Sequence, residues 1–302
     1  MGWPSGRAFR TPGVIVTEPV GSPVPEIFGD AGSEEKYTWA DLSVRRIGLG
    51  ISTEVYASTL RISNDGYVLS ECGDAPVNPR DVAHMIAMEL FVAEETARLV
   101  AAADFDDDET IELSVCVDQD AFNAEFPNAR FHVNAAFPFT LQHVAAGRAA
   151  AELTRRGRDV HVYRGDVNVD LLVRRLAVGL MKQQAAELLG LAPQKYVRWE
   201  IGTVRKFGEK AAGAPVGLIR EMQAIDDYIT ATAKALPAIP DDGITAVFML
   251  DDPEDITATY PGGHTKRGAE PYPRRVHRVA VARRAGALEA AGHRVRIVVD
   301  ED

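Results

Sequence analysis

Apolar residues recur at two different spacings along the chain, and each spacing predicts a different element. Leu60-Arg61-Ile62-Ser63 and Tyr67-Val68-Leu69-Ser70 have a β-like pattern on either side of Asn64-Asp65-Gly66. This arrangement predicts a hairpin, because an Asp-Gly turn tolerates positive φ. After Asn78-Pro79, apolar and polar residues alternate with helical spacing as far as Ala103, which predicts a long helix.

The strongest sign of organisation is an internal repeat at an offset of 135 residues. Residues 137–163 and 272–298 each run through an aromatic-Pro pair, an amphipathic helix, a Gly and an apolar strand. Their helices are expected at 142–156 and 277–291. Upstream, the apolar segment at 111–117 resembles the one at 244–250. The two copies therefore predict two similar strand-helix-strand units in which the helix packs on a small sheet.

Between these copies, residues 168–236 have only helical periodicity, with a helix at 169–178, two short helices and a long helix at 216–236. The two short helices fit the packing of a helix-turn-helix. Ala186 is the small residue at the helix crossing, and Gly190 provides the left-handed turn. The remaining apolar residues occupy the positions that hold the two helices together: Ala185, Leu189, Leu191, Tyr196 and Trp199.

The segment Gly179–Gly202 resembles the Cro/repressor-like (xenobiotic-response-element) family of helix-turn-helix regulators. The family pattern is matched at Gly179, Leu180, Ala186, Leu189, Gly190, Trp199, Glu200 and Gly202. Lys182 stands where the family has a phosphate-contacting Gln, and Ala192 replaces the usual Ser or Thr helix cap. The order of later elements is more loosely similar to the YdiL-like and anti-CRISPR-associated regulators. These resemblances imply a homodimeric repressor that binds a near-palindromic operator.

Geometry and resemblance together predict the residues that contact DNA. Pro193, Gln194, Lys195 and Arg198 are expected on the outer face of the second helix, where Gln194 can pair with adenine and Arg198 with guanine. The predicted phosphate contacts are Lys182, Gln183, Arg205 and Lys206.

The net charge of −11 argues against a polyanionic partner, but the basic residues are concentrated in two segments. Residues 1–135 carry 9 Lys and Arg against 23 Asp and Glu. In contrast, residues 168–210 carry 8 basic against 4 acidic residues, and residues 262–296 carry 9 against 2. This asymmetry indicates a polyanionic partner for the basic segments, with a solvated basic surface that has no partner as the alternative.

We therefore expect an α+β protein with four regions. They are an acidic N-terminal α/β region at 1–108, including a short strand at 13–17, a first strand-helix-strand repeat at 109–167, a helix-turn-helix domain at 168–236, and a second repeat at 243–302 that serves dimerisation. The expected partners are double-stranded DNA and a second copy of the chain, with no membrane, and the expected location is the cytoplasm. The prediction includes no catalytic residues, no metal and no cofactor. The acidic run 104–109 is interpreted as a solvated linker.

Two other classes of function remain open at this point. In the first, the chain is an enzyme or ligand sensor with a pocket in the duplicated unit, and Asp118, Asp120, Asp251 and Asp255 converge there. In the second, the chain is an interaction protein whose acidic first half masks the basic segments. Deletion of residues 1–108 would separate this last hypothesis from direct DNA binding.

Overall fold

The computed structural model describes residues 37–105, 110–131, 134–202 and 213–300. Within these ranges the chain forms helices and two small sheets, so the predicted α+β class is confirmed. The first half contains α1 Trp39–Gly48, α2 Thr53–Leu60, α3 Asn64–Glu71, α4 Pro79–Ala103, β1 Thr110–Val115, α5 Gln119–Glu125, α6 Thr140–Arg155 and β2 Asp159–Arg164. The second half contains β3 Val167–Asn168, α7 Asp170–Ala177, α8 Lys182–Leu188, α9 Pro193–Ile201, α10 Val216–Ala235, β4 Ala238–Asp241, β5 Ile244–Met249, α11 Pro253–Thr259, α12 Arg274–Ala290 and β6 Val295–Val299.

The predicted strand-helix-strand units are present in both halves. Strand β1 pairs in parallel with β2, placing Ile111 opposite Val160, and β5 pairs in parallel with β6, placing Val247 opposite Ile297. Antiparallel β3 and β4 complete the two three-stranded sheets. Helices α6 and α12 connect to the second strand of each pair and pack on it. The boundaries of both helices lie within one turn of those expected from the sequence.

The hairpin predicted at residues 60–70 is wrong, because this segment forms α2 and α3. Ser63 caps α3, its hydroxyl accepting a hydrogen bond from the Gly66 N–H at 3.3 Å. Asn64-Asp65-Gly66 is therefore the first turn of a helix rather than a reversal between strands. Tyr56 and Tyr67 are buried with their ring centroids 4.8 Å apart, which fixes the two helices against each other.

The described part of the acidic N-terminal region is helical instead of α/β. Helix α4 begins and ends as predicted: the Asn78 side chain accepts from the Arg80 N–H, Pro79 takes the first position, and the last residue is Ala103. The strand expected at 13–17 and residues 106–109 of the acidic run lie outside the described residues.

The duplication extends well beyond the two strand-helix-strand units. Helices α1 to α4 precede the first unit in the same order as α7 to α10 precede the second. The helical stretch at 168–236 is thus the beginning of a second copy, and residues 39–103 are the corresponding beginning of the first. Each copy runs through a three-helix unit, a long helix and an α/β unit.

The two copies exchange packing partners. Helix α6 of the first copy packs against α7 of the second, and α12 of the second packs against α1 of the first. The Asp41 carboxylate of α1 accepts from the Ile297 N–H of β6 at 2.9 Å, and its counterpart Asp170 of α7 accepts from the Val162 N–H of β2. Reciprocal contacts of this kind define an interface with two-fold symmetry. The chain therefore has an internal pseudo-two-fold axis.

Small residues allow the close approach of helices at both crossings. A Cβ added at Gly48 would lie 2.4 Å from the Ala282 Cβ, so Gly48→Ala is expected to lower the free energy of unfolding by about 1–3 kcal/mol through overpacking. The opposite crossing has Ala177 on α7 and Gly147 on α6. Adding Ala282→Gly to Gly48→Ala reproduces that arrangement and should restore most of the loss in urea unfolding. Equal stability of the single and double variants would contradict this.

The longest described helices, α4 and α10, bury one face in the protein core. None of the helices in the described ranges is long and apolar enough to cross a lipid bilayer.

Candidate nucleic-acid interface

The predicted helix-turn-helix is present as α8 and α9, with Gly190 at the turn. Gly190 has φ +63°, and the Leu191 N–H donates to the Ala186 carbonyl at 2.8 Å. An added Cβ would meet no atom within 4 Å at Gly190, so the left-handed backbone rather than crowding requires glycine here. The backbone conformation alone therefore explains why the turn has glycine at this position.

Apolar residues fix α9 against α7 and α8 as expected. Ala185, Ala186, Leu189 and Tyr196 are buried in the core cluster of the second copy. Leu191 and Trp199 are partly buried and pack against the same cluster. Because the inner face of α9 is held in this way, its opposite face is fixed in orientation.

A buried ion pair connects α7 to α9. The Arg175 guanidinium pairs with Glu200 and also donates to the Leu180 carbonyl at 2.7 Å. The Tyr196 hydroxyl donates to the same carboxylate at 3.2 Å, and burial raises the pKa of Tyr196, so the hydroxyl keeps its proton. Glu200 was singled out by the family pattern, but its partner Arg175 was not.

The residues predicted to read bases form an exposed face. Pro193, Gln194, Lys195 and Arg198 are all exposed, and the last three make no ion pair with any residue of the described ranges. Pro193 occupies the first helical position, and Ala192 provides no side-chain cap, as expected. The amides and cations on this face are the groups that recognise base edges in the major groove.

The predicted phosphate contacts are only partly described. Lys182 and Gln183 are exposed on the first turn of α8. The Lys182 ammonium lies 3.9 Å from Glu200, and the Gln183 amide donates to Glu187 at 2.9 Å. Arg205 and Lys206 lie outside the described residues.

A second three-helix unit, α1 to α3, was missed by the sequence reading. Residues 41–50 repeat residues 170–179 at an offset of 129, sharing Asp-Leu, Val-Arg-Arg and a final Gly. The match continues through both short helices at Ala57, Leu60, Tyr67, Glu71 and Gly73, which correspond to Ala186, Leu189, Tyr196, Glu200 and Gly202. This shared pattern could have revealed the unit from the sequence.

The ion pair and its hydrogen bonds are also duplicated. The Arg46 guanidinium donates to Glu71 at 2.6 Å and to the Ile51 carbonyl at 2.7 Å, and the Tyr67 hydroxyl donates to Glu71 at 2.8 Å. Arg61 occupies the position of Gly190 and adopts the same left-handed conformation, with φ +57°. The two units therefore share one fold and one set of internal contacts.

The first helices of the two short-helix pairs begin on opposite sides of one groove of about 670 Å³. Its walls include Ser52, Thr53 and Glu54 on one side and their counterparts Met181, Lys182 and Gln183 on the other. Arg275 adds a further cation; burial and then nearby Arg46 lower its pKa to about 10, and it donates to the Gly179 carbonyl. The pseudo-two-fold axis thus relates the two walls of this groove.

Two of the four carboxylates proposed to mark an enzyme pocket have structural partners. Asp118 caps α5 by accepting from the Ala121 N–H at 2.9 Å, and Asp251 pairs with Arg278 at 2.6 Å. Within the described ranges, no group of three or more His, Cys, Asp or Glu side chains is placed to hold a metal ion. Asp118 and Asp120 follow β1, whereas Asp251 and Asp255 follow the separate strand β5.

No protein-family model matches the chain, and no curated protein is similar to it at a significant level.

Proposed function

We propose that this protein is a sequence-specific DNA-binding transcriptional regulator, acting as a repressor, that reads its operator through α9. The observation that carries the proposal is the exposed face of Gln194, Lys195 and Arg198, held rigidly by the Arg175–Glu200 pair beneath it. A rigid helix with exposed amide and guanidinium groups suits direct readout of the major groove. Such a regulator would act in the cytoplasm.

Lys182 and Gln183 support the proposal by extending the polar surface beyond α9. They start α8, the helix that crosses the DNA backbone in a helix-turn-helix complex. Arg205 and Lys206 are proposed as further phosphate contacts. The family resemblance implies a homodimer with two α8–α9 units about 34–36 Å apart on a near-palindrome, which is one of two arrangements that the number of half-sites in the selected motif distinguishes.

The decisive experiment is selection of binding sites from a random duplex library with the purified full chain. An enriched motif whose binding weakens as salt rises from about 50 mM is the expected result. No enrichment at about 50 mM salt, where phosphate contacts are strongest, would contradict DNA readout by this face.

Arg198→Ala is expected to weaken binding to the selected site by about 1–3 kcal/mol and to relax one base position, because a bidentate contact to guanine is lost. Titration of labelled duplexes by fluorescence anisotropy measures both effects. Arg156→Ala is the matched control, since this exposed Arg lies on the surface at the end of α6 and should leave affinity unchanged. Wild-type affinity of the Arg198 variant would refute the assignment.

A further inference from the structure

We infer that the chain is a single-chain pseudo-dimer of two helix-turn-helix units in which only α8–α9 reads bases, so that one chain recognises one asymmetric site. This inference rests on the proposed function, because it concerns which DNA the protein binds. In this arrangement α2–α3 occupies the position that the second protomer's DNA-binding unit takes in a symmetric dimer, but it does not contact bases.

Reciprocal contacts between the two copies establish the pseudo-dimer. Near its start, each three-helix unit has an Asp that binds the second parallel strand of the other copy. Asp41 accepts from the Ile297 N–H at 2.9 Å, and Asp170 accepts from the Val162 N–H. Ile297 and Val162 are equivalent positions of β6 and β2. Together with the paired crossings of α6 on α7 and α12 on α1, these contacts relate the units by a two-fold rotation.

The groove between the units shows that they lie side by side. Its two walls are the first turns of α2 and α8, which are equivalent in the two copies. The short-helix pairs therefore extend from a common axis. In the inferred complex, a duplex contacted by α8–α9 would therefore lie beside α2–α3.

The reading faces of the two pairs differ in chemistry although their inner faces match. Where α9 has Gln194, Lys195 and Arg198, α3 has Asp65, Gly66 and Leu69. All three residues of α3 are exposed, with Leu69 at 48%.

The positions predicted to contact phosphate also lack positive charge in α2. Lys182 and Gln183 of α8 correspond to Thr53 and Glu54 of α2. Glu54 and Asp65 place negative charge where a DNA-binding unit presents cations or amides, and like charges repel the phosphate backbone. The α2–α3 pair thus keeps the packing of a DNA-binding unit and lacks the cations and glutamines that α8–α9 presents at the equivalent positions.

The test transfers the reading residues of α8–α9 to α2–α3 in the full chain. The graft is Glu54→Gln, Asp65→Gln, Gly66→Lys and Leu69→Arg, all at exposed positions outside the buried contacts. We expect the wild-type protein to select one unpaired half-site and to bind it as one chain per duplex. The graft should select a second, inverted half-site and bind the doubled site at least tenfold more tightly than the wild type does.

The control separates recognition from added charge. Glu94→Lys with Asp120→Lys adds the same four positive units at exposed positions of α4 and α5. This control should raise affinity for all duplexes without adding a half-site to the selected motif. Thermal unfolding of each variant verifies that it is folded.

Three outcomes would overturn the inference, and they differ from one another. A wild-type motif of two identical half-sites bound by two chains would replace the pseudo-dimer by a homodimer and leave the proposed function intact. A folded graft that still selects a single half-site would show that α2–α3 is not positioned for DNA. Failure of the wild type to enrich any motif would refute the proposed function itself. The wild-type motif and stoichiometry decide the matter even if the graft does not fold.

Discussion

Glu200→Ala is expected to lower the free energy of unfolding by about 3–5 kcal/mol and to abolish recognition of the selected DNA site. The substitution leaves the Arg175 guanidinium buried without its carboxylate, and breaking one side of a buried ion pair carries a cost of this size. The Tyr196 hydroxyl also loses its acceptor. Because these contacts orient α9, the reading face should lose its fixed position before the rest of the protein unfolds.

The chain provides a matched control for this prediction. Glu71→Ala removes the equivalent carboxylate from Arg46 and Tyr67 in the first unit. It should destabilise the protein by a similar amount, yet at a temperature where the variant is folded it should bind DNA with wild-type affinity. Urea unfolding and anisotropy titration at about 10 °C measure the two effects. Equal loss of DNA affinity in both variants would mean that stability, and not the position of α9, controls binding.

The contrast between these two ion pairs also shows what the sequence could and could not predict. The α8–α9 unit was recognisable because Gly190, Trp199 and Glu200 keep a known register. The α2–α3 unit was missed because Arg61 replaces the turn glycine and Asn64-Asp65-Gly66 is a strong hairpin signal. Here the cap at Ser63 and the burial of Tyr67 outweighed the local turn preference. Tertiary packing often overrides such local preferences.

The sequence predicts the α/β unit that ends each copy, but not the helical unit that begins it. The α/β units share aligned Pro, Leu and Gly positions, and the structure confirms both. The exchange of partners, in which α6 packs on α7 and α12 on α1, depends on contacts such as that between Asp41 and Ile297, which lie 256 positions apart. No periodicity or motif encodes such a contact. The groove between the units follows from that exchange, so it was equally inaccessible to sequence reasoning.

Arg45→Met is expected to lower the free energy of unfolding by about 3–5 kcal/mol. Arg45 is fully buried, and its guanidinium donates to Glu89 at 2.6 Å and to Glu289 at 2.7 Å. Its counterpart Arg174 instead donates to Gln223 at 2.7 Å and to Thr154 at 3.0 Å, so the second crossing holds the same cation with neutral partners. Loss of Arg45 leaves Glu89 and Glu289 buried without their cation, and buried Asp41, 3.9 Å from Arg45, loses its ion pair as well. Removing one side of such a network is the costly way to break it.

The pH dependence of this variant has a definite sign. Burial raises the pKa of Glu89 to about 7 and also raises that of Glu289, while Arg45 acts in the opposite direction in both cases. Without Arg45 both pKa values should rise further. A carboxyl whose pKa is raised by folding adds stability at low pH and loses it as pH rises through the folded-state value. Urea unfolding should therefore show a larger deficit of Arg45→Met at pH 8 than at pH 5.

Neutral partners should rescue the variant. Adding Glu89→Gln and Glu289→Thr to Arg45→Met places at these positions the uncharged residue types that surround Arg174 at the other crossing, and it removes both unpaired charges. Replacing a whole buried ionic network by well-packed uncharged groups is often nearly neutral, so the triple variant should recover much of the lost stability and should no longer show the extra dependence on pH. A triple variant no more stable than Arg45→Met would show that the packing of the arginine side chain, rather than its charge, holds α1 to α4 and α12. Recovery would instead show that the loss comes from the uncompensated charges of Glu89 and Glu289, which the other crossing avoids by surrounding Arg174 with the neutral side chains of Gln223 and Thr154.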